Sequence, residues 1–479
     1  MCLRAVVGRH PGNMENMSRV SQLHRTALSV LHQILLKSNS SSVSELQLET
    51  NLIDQLQLSL DWPDPFIQVS LLEVILSALR LRVMAAAGRL SPTVEEFKRP
   101  VTQDTSHNSR PSLVTTDGKE RLSNILQPPP SLVKCLQAGF SASSSRSVLD
   151  SWINFLTECL PFYSGLIFQI LIPLVETLCS QVALVFDNLQ ATFKEPEASP
   201  KEKSAPEATL IFLLNGLEKV LAHGHDKLLK DETKTPTVKT PDQPQGFFGN
   251  MVSGVFSSDT QQSRTMTANN RLTVLLSFQD AVRICFTIWS WGGRGLEVSS
   301  QDAESAASFN YTSLRMRNRA RRLLEHLFAV EALECLETVI EIWQTSSKST
   351  DDIKYTAVFN LLHVLDGSKP KHTIPAIFDA IYSRTNPTTL EASRKSTLTS
   401  SLADTDLVVF LVEYTRSLED DTMDEIWTDC MTFLKDILAN PFPHRQTLPG
   451  LLELISILGE KVDNTNFGEQ RRMRRELGV

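Results

Sequence analysis

Two groups of arginines are the side chains in this sequence best suited to binding a ligand. The first group is Arg315, Arg317, Arg319, Arg321 and Arg322, with no acidic residue between them. The second group, near the C-terminal end, is Arg471, Arg472, Arg474 and Arg475. Guanidinium forks match phosphate groups, so both groups are candidate sites for an anionic lipid headgroup, such as a phosphoinositide, or for an acidic protein partner. The alternative is a solvated helix face paired with acids of the same chain, such as Glu325 and Glu469.

The segment 246–259 is apolar although it follows a polar, proline-containing stretch. Phe248, Val252, Val255 and Phe256 recur at helical spacing beside Phe247, and the opposite face is small and uncharged. A short helix of this kind is typical of segments that insert an apolar face below lipid headgroups. Docking into a groove on a partner and packing onto the chain's own helices are the other two interpretations.

Three hydroxyl residues directly precede proline in segments that are predicted to be linkers. They are Ser199, Thr235 and Thr240. Proline-directed kinases are expected to reach such sites, and each phosphate adds about −1.5 to −2 charges. For Thr235 and Thr240 that charge would precede the apolar segment and weaken its approach to an anionic membrane. The alternative is an ordinary proline-rich linker.

No pattern typical of an enzyme, a cofactor site or a metal site is present. The sequence lacks the phosphate loop, the glycine-rich dinucleotide turn, and the H-E-x-x-H and G-x-S-x-G motifs. His223 and His225 flank Gly224, but a metal would need a further ligand, so exposed residues at a helix end are the simpler interpretation. We therefore predict no catalytic residue, no cofactor and no bound metal. A net charge of −8 gives no reason to expect nucleic acid as a partner.

The elements that position these residues are predicted to be helices. Leu407, Phe410, Leu411, Tyr414 and Leu418 follow the spacing of one helix face. Similar periodicity runs through 64–87, 147–160, 206–230, 271–291 and 319–343, the last of which we predict to be one long helix. Only 19 glycines and a 7% aromatic share argue against an all-β fold. The fold class is thus all-α, an irregular HEAT- or armadillo-like helical solenoid.

Helix ends are also marked in the C-terminal part of the sequence. Thr422 and Glu425 have the spacing of a capping box that opens a helix. Pro441 is expected to stop that helix, and Gly459 is expected to cap the end of the next one.

Polar stretches rich in Ser, Thr, Pro and charge separate the helical parts, because they cannot bury enough surface to offset chain entropy. The predicted layout is a disordered N-terminus 1–17, helical segment 18–88, linker 89–122, helical repeats 123–193, linker 194–206, helix 207–230, linker 231–267 and solenoid 268–479. The longest apolar run, 163–186, contains Glu176 and Pro173, which favours a buried core helix over a membrane span. The seven scattered cysteines indicate buried, reduced thiols of a cytosolic protein.

Four long stretches resemble the fungal Dopey family. They are GFFGNMVSGVFSSD (246–259), NRLTVLLSFQDAVRICFTIWSW (270–291), RMRNRARRLLEHLFAVEALECLETVIEIW (315–343) and FPHRQTLPGLLELISILGEKVDNTNFGEQRRMRRELG (442–478). The similarity covers most of residues 50–478. Members of the family are several times longer, so the chain is expected to be an internal part that lacks the N-terminal domain and the C-terminal continuation.

The resemblance implies a large cytosolic helical protein, peripheral on Golgi and endosome membranes, that acts in transport between the two. It also implies two partners, a Sec7-related scaffold similar to Arf exchange factors and an aminophospholipid flippase, and no enzymatic activity. Without the resemblance, the alternative is a HEAT-like adaptor of another pathway, such as a nuclear-transport or phosphatase scaffold.

The attachment role of the segment 246–259 gives a first prediction. Burial of its large apolar side chains contributes about 1.5–3 kcal/mol each before ordering costs. Replacing both Phe248 and Phe256 with Asp is therefore expected to abolish liposome flotation or recovery of a partner, with no change in thermal stability. If the double variant loses stability but still binds, the segment packs on its own helices instead.

Overall fold

The computed structural model describes residues 14–37, 48–90, 129–194, 206–233, 258–292, 303–348, 352–464 and 470–478. The described residues belong to two compact units. The first contains residues up to Val185 together with Ala198–Lys234. The second contains Phe186–Glu197 and Thr235–Val479.

Helices of the first unit pack as alternating layers. They are α1 (Met14–Lys37), α2 (Leu48–Ser59), α3 (Phe66–Leu90), α4 (Ser131–Ser141), α5 (Leu149–Cys159), α6 (Ile167–Lys194) and α7 (Pro206–Glu232), with 3-10 turns at Ser143–Val148 and Leu160–Tyr163. The odd-numbered helices α1, α3, α5 and α7 pack side by side. Helix α2 packs against α4, and Gln137 of α4 donates to Pro173 and Thr177 of α6. Each helix thus meets its second neighbour along the chain, as in helical repeats.

A buried polar node lies where α2, α3 and α5 of the first unit meet. The Gln68 side chain is fully buried, and its Oε1 accepts hydrogen bonds from Ser145 Oγ (2.9 Å) and from the Trp152 indole (3.0 Å). Its Nε2 donates to Ser144 Oγ at 3.3 Å and to the Ser59 carbonyl at 3.4 Å. Because a buried amide must find partners for both of its ends, the node ties α2, α3 and α5 into one arrangement.

The first three helices of the second unit pack on one another, and the later helices again contact their second neighbours along the chain. The helices of this unit are α8 (Ser258–Trp289), α9 (Ala303–Val330), α10 (Ala332–Lys348), α11 (Asp352–Val364), α12 (Pro370–Thr385), α13 (Asp404–Ser417), α14 (Met423–Ala439), α15 (Leu448–Asn464) and α16 (Gln470–Leu477). Helices α10, α12 and α14 form one layer, and α13 and α15 lie in the other. Phe359 of α11 stacks on Phe410 and Tyr414 of α13, which extends the second layer.

The predicted all-α fold is confirmed, since no strand occurs among the residues that the structure describes. Helices α10 and α11, α12 and α13, and α14 and α15 pack as consecutive pairs, and successive pairs contact each other through α10, α12 and α14 in one layer and through α13 and α15 in the other. This is the two-layer packing of HEAT- and armadillo-like repeats. Its interior is apolar, with Leu361, Ile377, Leu411 and Leu458 fully buried.

The single helix that the periodicity predicts over 319–343 is wrong. The chain changes direction at Glu331, between α9 and α10. Arg317 of α9 lies over Trp289 at the end of α8. Along α10, Glu334 contacts Gln279 and Glu341 contacts Arg283, so α10 runs in the same direction as α8. Both helices pack on α8, so an apolar period runs through the corner. No proline or glycine marks that corner in the sequence.

Several predicted helix ends also need correction. Helix α8 begins at Ser258, so the last residues of the predicted linker 231–267 are helical, and α1 begins at Met14 inside the predicted disordered terminus 1–17. The hydroxyl of Thr422 donates to the Glu419 carbonyl instead of capping α14, while Asp406 accepts from the Ala403 amide at the start of α13. Gly459 lies inside α15.

Two of the described helices are long and apolar enough to cross a membrane, at Ile167–Phe193 and Met266–Trp289. Such helices also occur in the cores of soluble proteins. The apolar window at Met266–Trp289 is 61% buried, as in a core helix, whereas the window at Ile167–Phe193 is 33% buried. In α6, Leu171, Leu174 and Leu178 are fully buried. Five of the six described cysteines are buried and all six are free thiols, as predicted; they are Cys135, Cys159, Cys179, Cys285, Cys335 and Cys430, with Cys179 half-buried.

A second prediction concerns the close approach of α4 and α5. A Cβ added to Gly139 would overlap the ring of Trp152, which is fully buried and held by Gln68. Gly139→Ala is therefore expected to lower the free energy of unfolding by about 1–3 kcal/mol, despite the better helix propensity of alanine. Urea denaturation measures the change. The exposed Lys134→Ala in the same helix is the control, and an equal shift in both variants would contradict the overlap.

Candidate functional site

The predicted attachment segment and modification sites lie outside the described residues. These are residues 246–257 of the segment 246–259, with Phe247, Phe248, Val252, Val255 and Phe256, and the three hydroxyl residues Ser199, Thr235 and Thr240. The last two residues of the segment, Ser258 and Asp259, begin α8. Their roles stay predictions.

The first arginine group serves partly to pack the fold. Arg317 is half-buried, its guanidinium lies 4.7 Å from the centroid of the Trp289 ring, and burial lowers its pKa. Arg321 pairs with Glu325 at 2.6 Å, one turn further along the helix. Arg315 and Arg322 are exposed and Arg319 is half-buried. The predicted face of three is thus on α9, and its binding to anions stays a prediction.

The second arginine group begins α16. Arg474 pairs with Asp463 of α15, with Nε 2.8 Å from Oδ1, and Arg475 is exposed. The helix is anchored by Met473, which is buried, and by Glu476, which accepts a hydrogen bond from the Trp427 indole at 2.9 Å. The side chains of Arg471 and Arg472 are outside the described part of the chain.

The two histidines lie inside α7 and not at its end. His225 is buried, contrary to the exposed position expected from the sequence, and His223 is half-buried with its pKa lowered by burial. In the part of the chain that the structure describes, no group of three His, Cys, Asp or Glu side chains is placed to hold a metal ion.

A long connection after α12 forms the most elaborate polar site of the second unit. Residues 386–403 join α12 to α13, whereas helices in bundles are usually joined by about 2–8 residues. The connection makes two 3-10 turns, Pro387–Thr389 and Ala392–Arg394, and then runs extended. We call residues 395–401 the strap. Four of its hydroxyls bind carboxylates of α10.

Glu334, Glu337 and Glu341 present these carboxylates along one face of α10, at the spacing of a helix. Glu334 is 4% exposed; its Oε2 accepts from Thr397 Oγ1 at 2.8 Å and its Oε1 from Thr399 Oγ1 at 2.7 Å. Gln279 of α8 donates to the same Oε1. The strap thus satisfies a carboxylate that would otherwise be buried without enough donors.

Glu337 lies at the centre of the row and is 1% exposed. Its two oxygens form a bidentate ion pair with Arg384 of α12, at 2.9 and 3.0 Å, and Ser400 Oγ donates to Oε2 at 2.7 Å. Arg384 also donates to Ser400 Oγ and, through Nε, to the Leu402 carbonyl. This pair therefore joins α10, α12 and the strap at one point.

Glu341 closes the row nearer the surface. Its Oε1 accepts from the amide and hydroxyl of Ser401, and its Oε2 accepts from Arg283 at 3.0 Å. Burial would raise the pKa of Glu341, but the hydrogen bonds from Arg283 and Ser401 outweigh burial and leave it below the ordinary value. A lowered carboxyl pKa contributes stability at neutral pH that is lost as the pH falls through the folded-state value.

Backbone strain accompanies these contacts. Leu398 has φ of 56°, a left-handed conformation that leucine rarely adopts, and its side chain is exposed. Its amide donates to Ser396 Oγ at 3.0 Å. The strain costs of the order of 1–3 kcal/mol and is held by the flanking hydroxyl–carboxylate bonds.

The three carboxylates bind the strap and hold it in position on α10. Among these residues there is no pair of an activated nucleophile and a base. Sequence reasoning did not find this arrangement. The glutamates occur at i, i+3 and i+7 beside the apolar face of α10, a spacing visible in the sequence. Their partners come from residues far along the chain, for which no local pattern exists.

Two family models match the chain. The model described as the DOP1 TPR domain matches residues 19–223, and the model described as DOP1 C-terminal matches residues 410–478. The first match covers most of the first unit. The second covers the last helices of the second unit.

Two curated relatives carry the same name. Protein dop1 of Emericella nidulans is 49% identical over 482 residues, which is 99% of this chain and 26% of that protein. Protein DOP1 of Saccharomyces cerevisiae is 28% identical over 359 residues, 71% of this chain and 20% of that protein. The chain thus spans about a quarter or less of the length of these relatives.

Solved structures give only remote likenesses. A circular tandem repeat protein is 11% identical with a TM-score of 0.32, covering 100% of this chain and 89% of that one. A mutant of Kap121p is 10% identical with a TM-score of 0.23, covering 97% of this chain and 46% of that one. Scores this low say nothing about function.

A third prediction tests the central ion pair. Glu337→Gln keeps the shape of the side chain but leaves the Arg384 charge buried without its counter-charge, so we expect a loss of about 3–5 kcal/mol in the free energy of unfolding. The control is Glu325→Gln, which removes the partly exposed helix pair with Arg321 and is expected to cost about 0.5 kcal/mol. Urea denaturation of both variants measures the two losses in the free energy of unfolding. Equal losses would contradict the prediction that the buried Glu337 pair contributes more stability than the partly exposed Glu325 pair.

Proposed function

Because the chain belongs to the Dopey family, we propose that it is part of a non-enzymatic helical scaffold that acts in vesicle-mediated transport between endosomes and the Golgi. The observation that carries the proposal is the 49% identity to a protein named dop1 along 99% of the chain. Since the chain spans only 26% of that relative, the activity of the whole protein is part of the proposal.

The architecture supports a binding role. Stacked helix pairs give an extended surface whose side chains are free to vary, while the apolar faces between the layers hold the shape. The most elaborate polar site in the second unit, at Glu334, Glu337 and Glu341, is satisfied by hydroxyls and arginines of the same chain. Such an arrangement suits a rigid platform better than a reaction centre.

The proposed partners are those that the family resemblance implies, a Sec7-related scaffold similar to Arf exchange factors and an aminophospholipid flippase. The proposed location is the cytoplasmic face of Golgi and endosome membranes. Exposed Arg315 and Arg322 support an anionic surface as one contact, at about 1 kcal/mol per charge.

A fourth prediction tests this role in fungal cells. The tagged 479-residue chain is expected to sediment partly with Golgi and endosome membranes and to co-precipitate the Sec7-related scaffold or the flippase, identified by mass spectrometry. A matched variant, Arg315→Ala with Arg322→Ala, is expected to reduce the membrane fraction while keeping the protein partners.

Two outcomes would contradict the proposal. One is recovery of nuclear-transport cargo or a phosphatase in place of the named partners, which would support the adaptor of another pathway. The other is a wholly soluble chain that retrieves neither named partner under conditions in which the whole relative retrieves both.

A further inference from the structure

A cleft between α12 and α14 is separate from the glutamate row and has features of a built site. It encloses about 480 Å³, within the range of about 300–1,000 Å³ that is usual for ligand pockets. One wall is α12, the other is α14, and the 3-10 turns of the connection 386–394 form its rim. His444, from the turn after α14, also lines the cleft.

Aromatic rings form part of the lining. Phe378 of α12 and Phe433 of α14 stack with centroids 3.9 Å apart and planes 8° apart. Tyr382 meets Phe433 edge-on at 5.3 Å and His444 edge-on at 5.8 Å. Phe378 and Phe433 are only 5% and 3% exposed and cover each other's faces, so they form an apolar base of the cleft.

Three carboxylates give the cleft a negative charge. Asp379 is bound by the guanidinium of Arg394 at 2.7 and 2.9 Å. Asp429 and Asp436 line the same cleft on α14, and no described cation lies within ion-pair distance of either. The cleft thus already binds one guanidinium of its own chain and has two further carboxylates available.

Two polar atoms in the cleft lack a hydrogen-bond partner among the described residues. They are the Tyr382 hydroxyl and Nδ1 of His444, a residue that is only 3% exposed. Burial, followed by Asp436 and Asp379, raises the pKa of Tyr382 to about 12, so its hydroxyl keeps its proton. Burial lowers the pKa of His444, although Asp404 opposes this, and a neutral imidazole has one nitrogen that accepts. Buried groups of this kind normally have a partner.

We propose that this cleft binds an arginine side chain of a partner polypeptide. A guanidinium carries five donors, which suit the exposed carboxylates of Asp429 and Asp436. The acceptors of Tyr382 and His444 are buried beneath the cleft surface, so a guanidinium reaches them only when the side chains around them move. The planar guanidinium fork can bind one carboxylate through two hydrogen bonds, which a lysine ammonium does not match. The inference rests on the scaffold proposal, because it names the chemistry of one partner contact.

A fifth prediction is the binding of a labelled probe. The probe is a fluorescein-labelled glycine peptide with two arginines, measured by anisotropy against the whole chain at low salt. Saturable binding is expected, and versions with citrulline or lysine in place of arginine are expected to bind about tenfold more weakly. Asp429→Asn with Asp436→Asn is expected to weaken binding by about tenfold or more. Tyr382→Phe, which removes only the hydroxyl, is expected to weaken it by a smaller factor.

The matched control is Asp424→Asn with Glu425→Gln, which removes the same charge from exposed positions of α14 outside the cleft. It is expected to change binding by less than about twofold. Equal losses in the two double variants, equal binding of the citrulline peptide, or no saturable binding of the arginine peptide would each overturn the proposal. These results are independent of membrane fractionation and partner recovery, so failure here leaves the scaffold proposal to its own test.

Discussion

Arg384 and Glu337 form a bidentate ion pair that is almost removed from water, and the position of the long connection after α12 depends on it. Two charges in a poorly solvated place are stable only when their remaining hydrogen-bonding capacity is satisfied. Ser400 of the strap donates to Glu337, and the carbonyl of Leu402, the residue after the strap, accepts from Arg384, so the connection supplies that capacity. The pair therefore fixes the strap as well as the contact between α10 and α12.

The same connection also shapes the cleft on the other side of α12. Its 3-10 turn ends at Arg394, which reaches Asp379, and the strap begins at the next residue. One loop thus joins a buried carboxylate row to a surface cleft, and both rely on α12 being held in place. One connection can contact both features because α12 packs on α10 and on α14 in the same layer.

The sequence predicted the helical class correctly, because apolar residues at helical spacing leave few alternatives once glycine and aromatic content exclude a β fold. It failed at Glu331, where the apolar period runs through a change of chain direction. It also misplaced the cap at Thr422, whose hydroxyl finds a closer carbonyl in the preceding turn. Local patterns report which face is buried, but several arrangements of the neighbouring helices satisfy the same face.

The sequence by itself therefore determined that the chain is helical, that five of its six described cysteines are buried thiols, and which family it resembles, since these follow from composition, period and long matching stretches. Only the tertiary structure decided that Glu334, Glu337 and Glu341 meet a strap about 60 residues further along, and that Asp379, Asp429 and His444 share a cleft. The physical reason is that the partner of a buried polar group is chosen by the packing of helices, and that packing depends on contacts between residues distant in the chain.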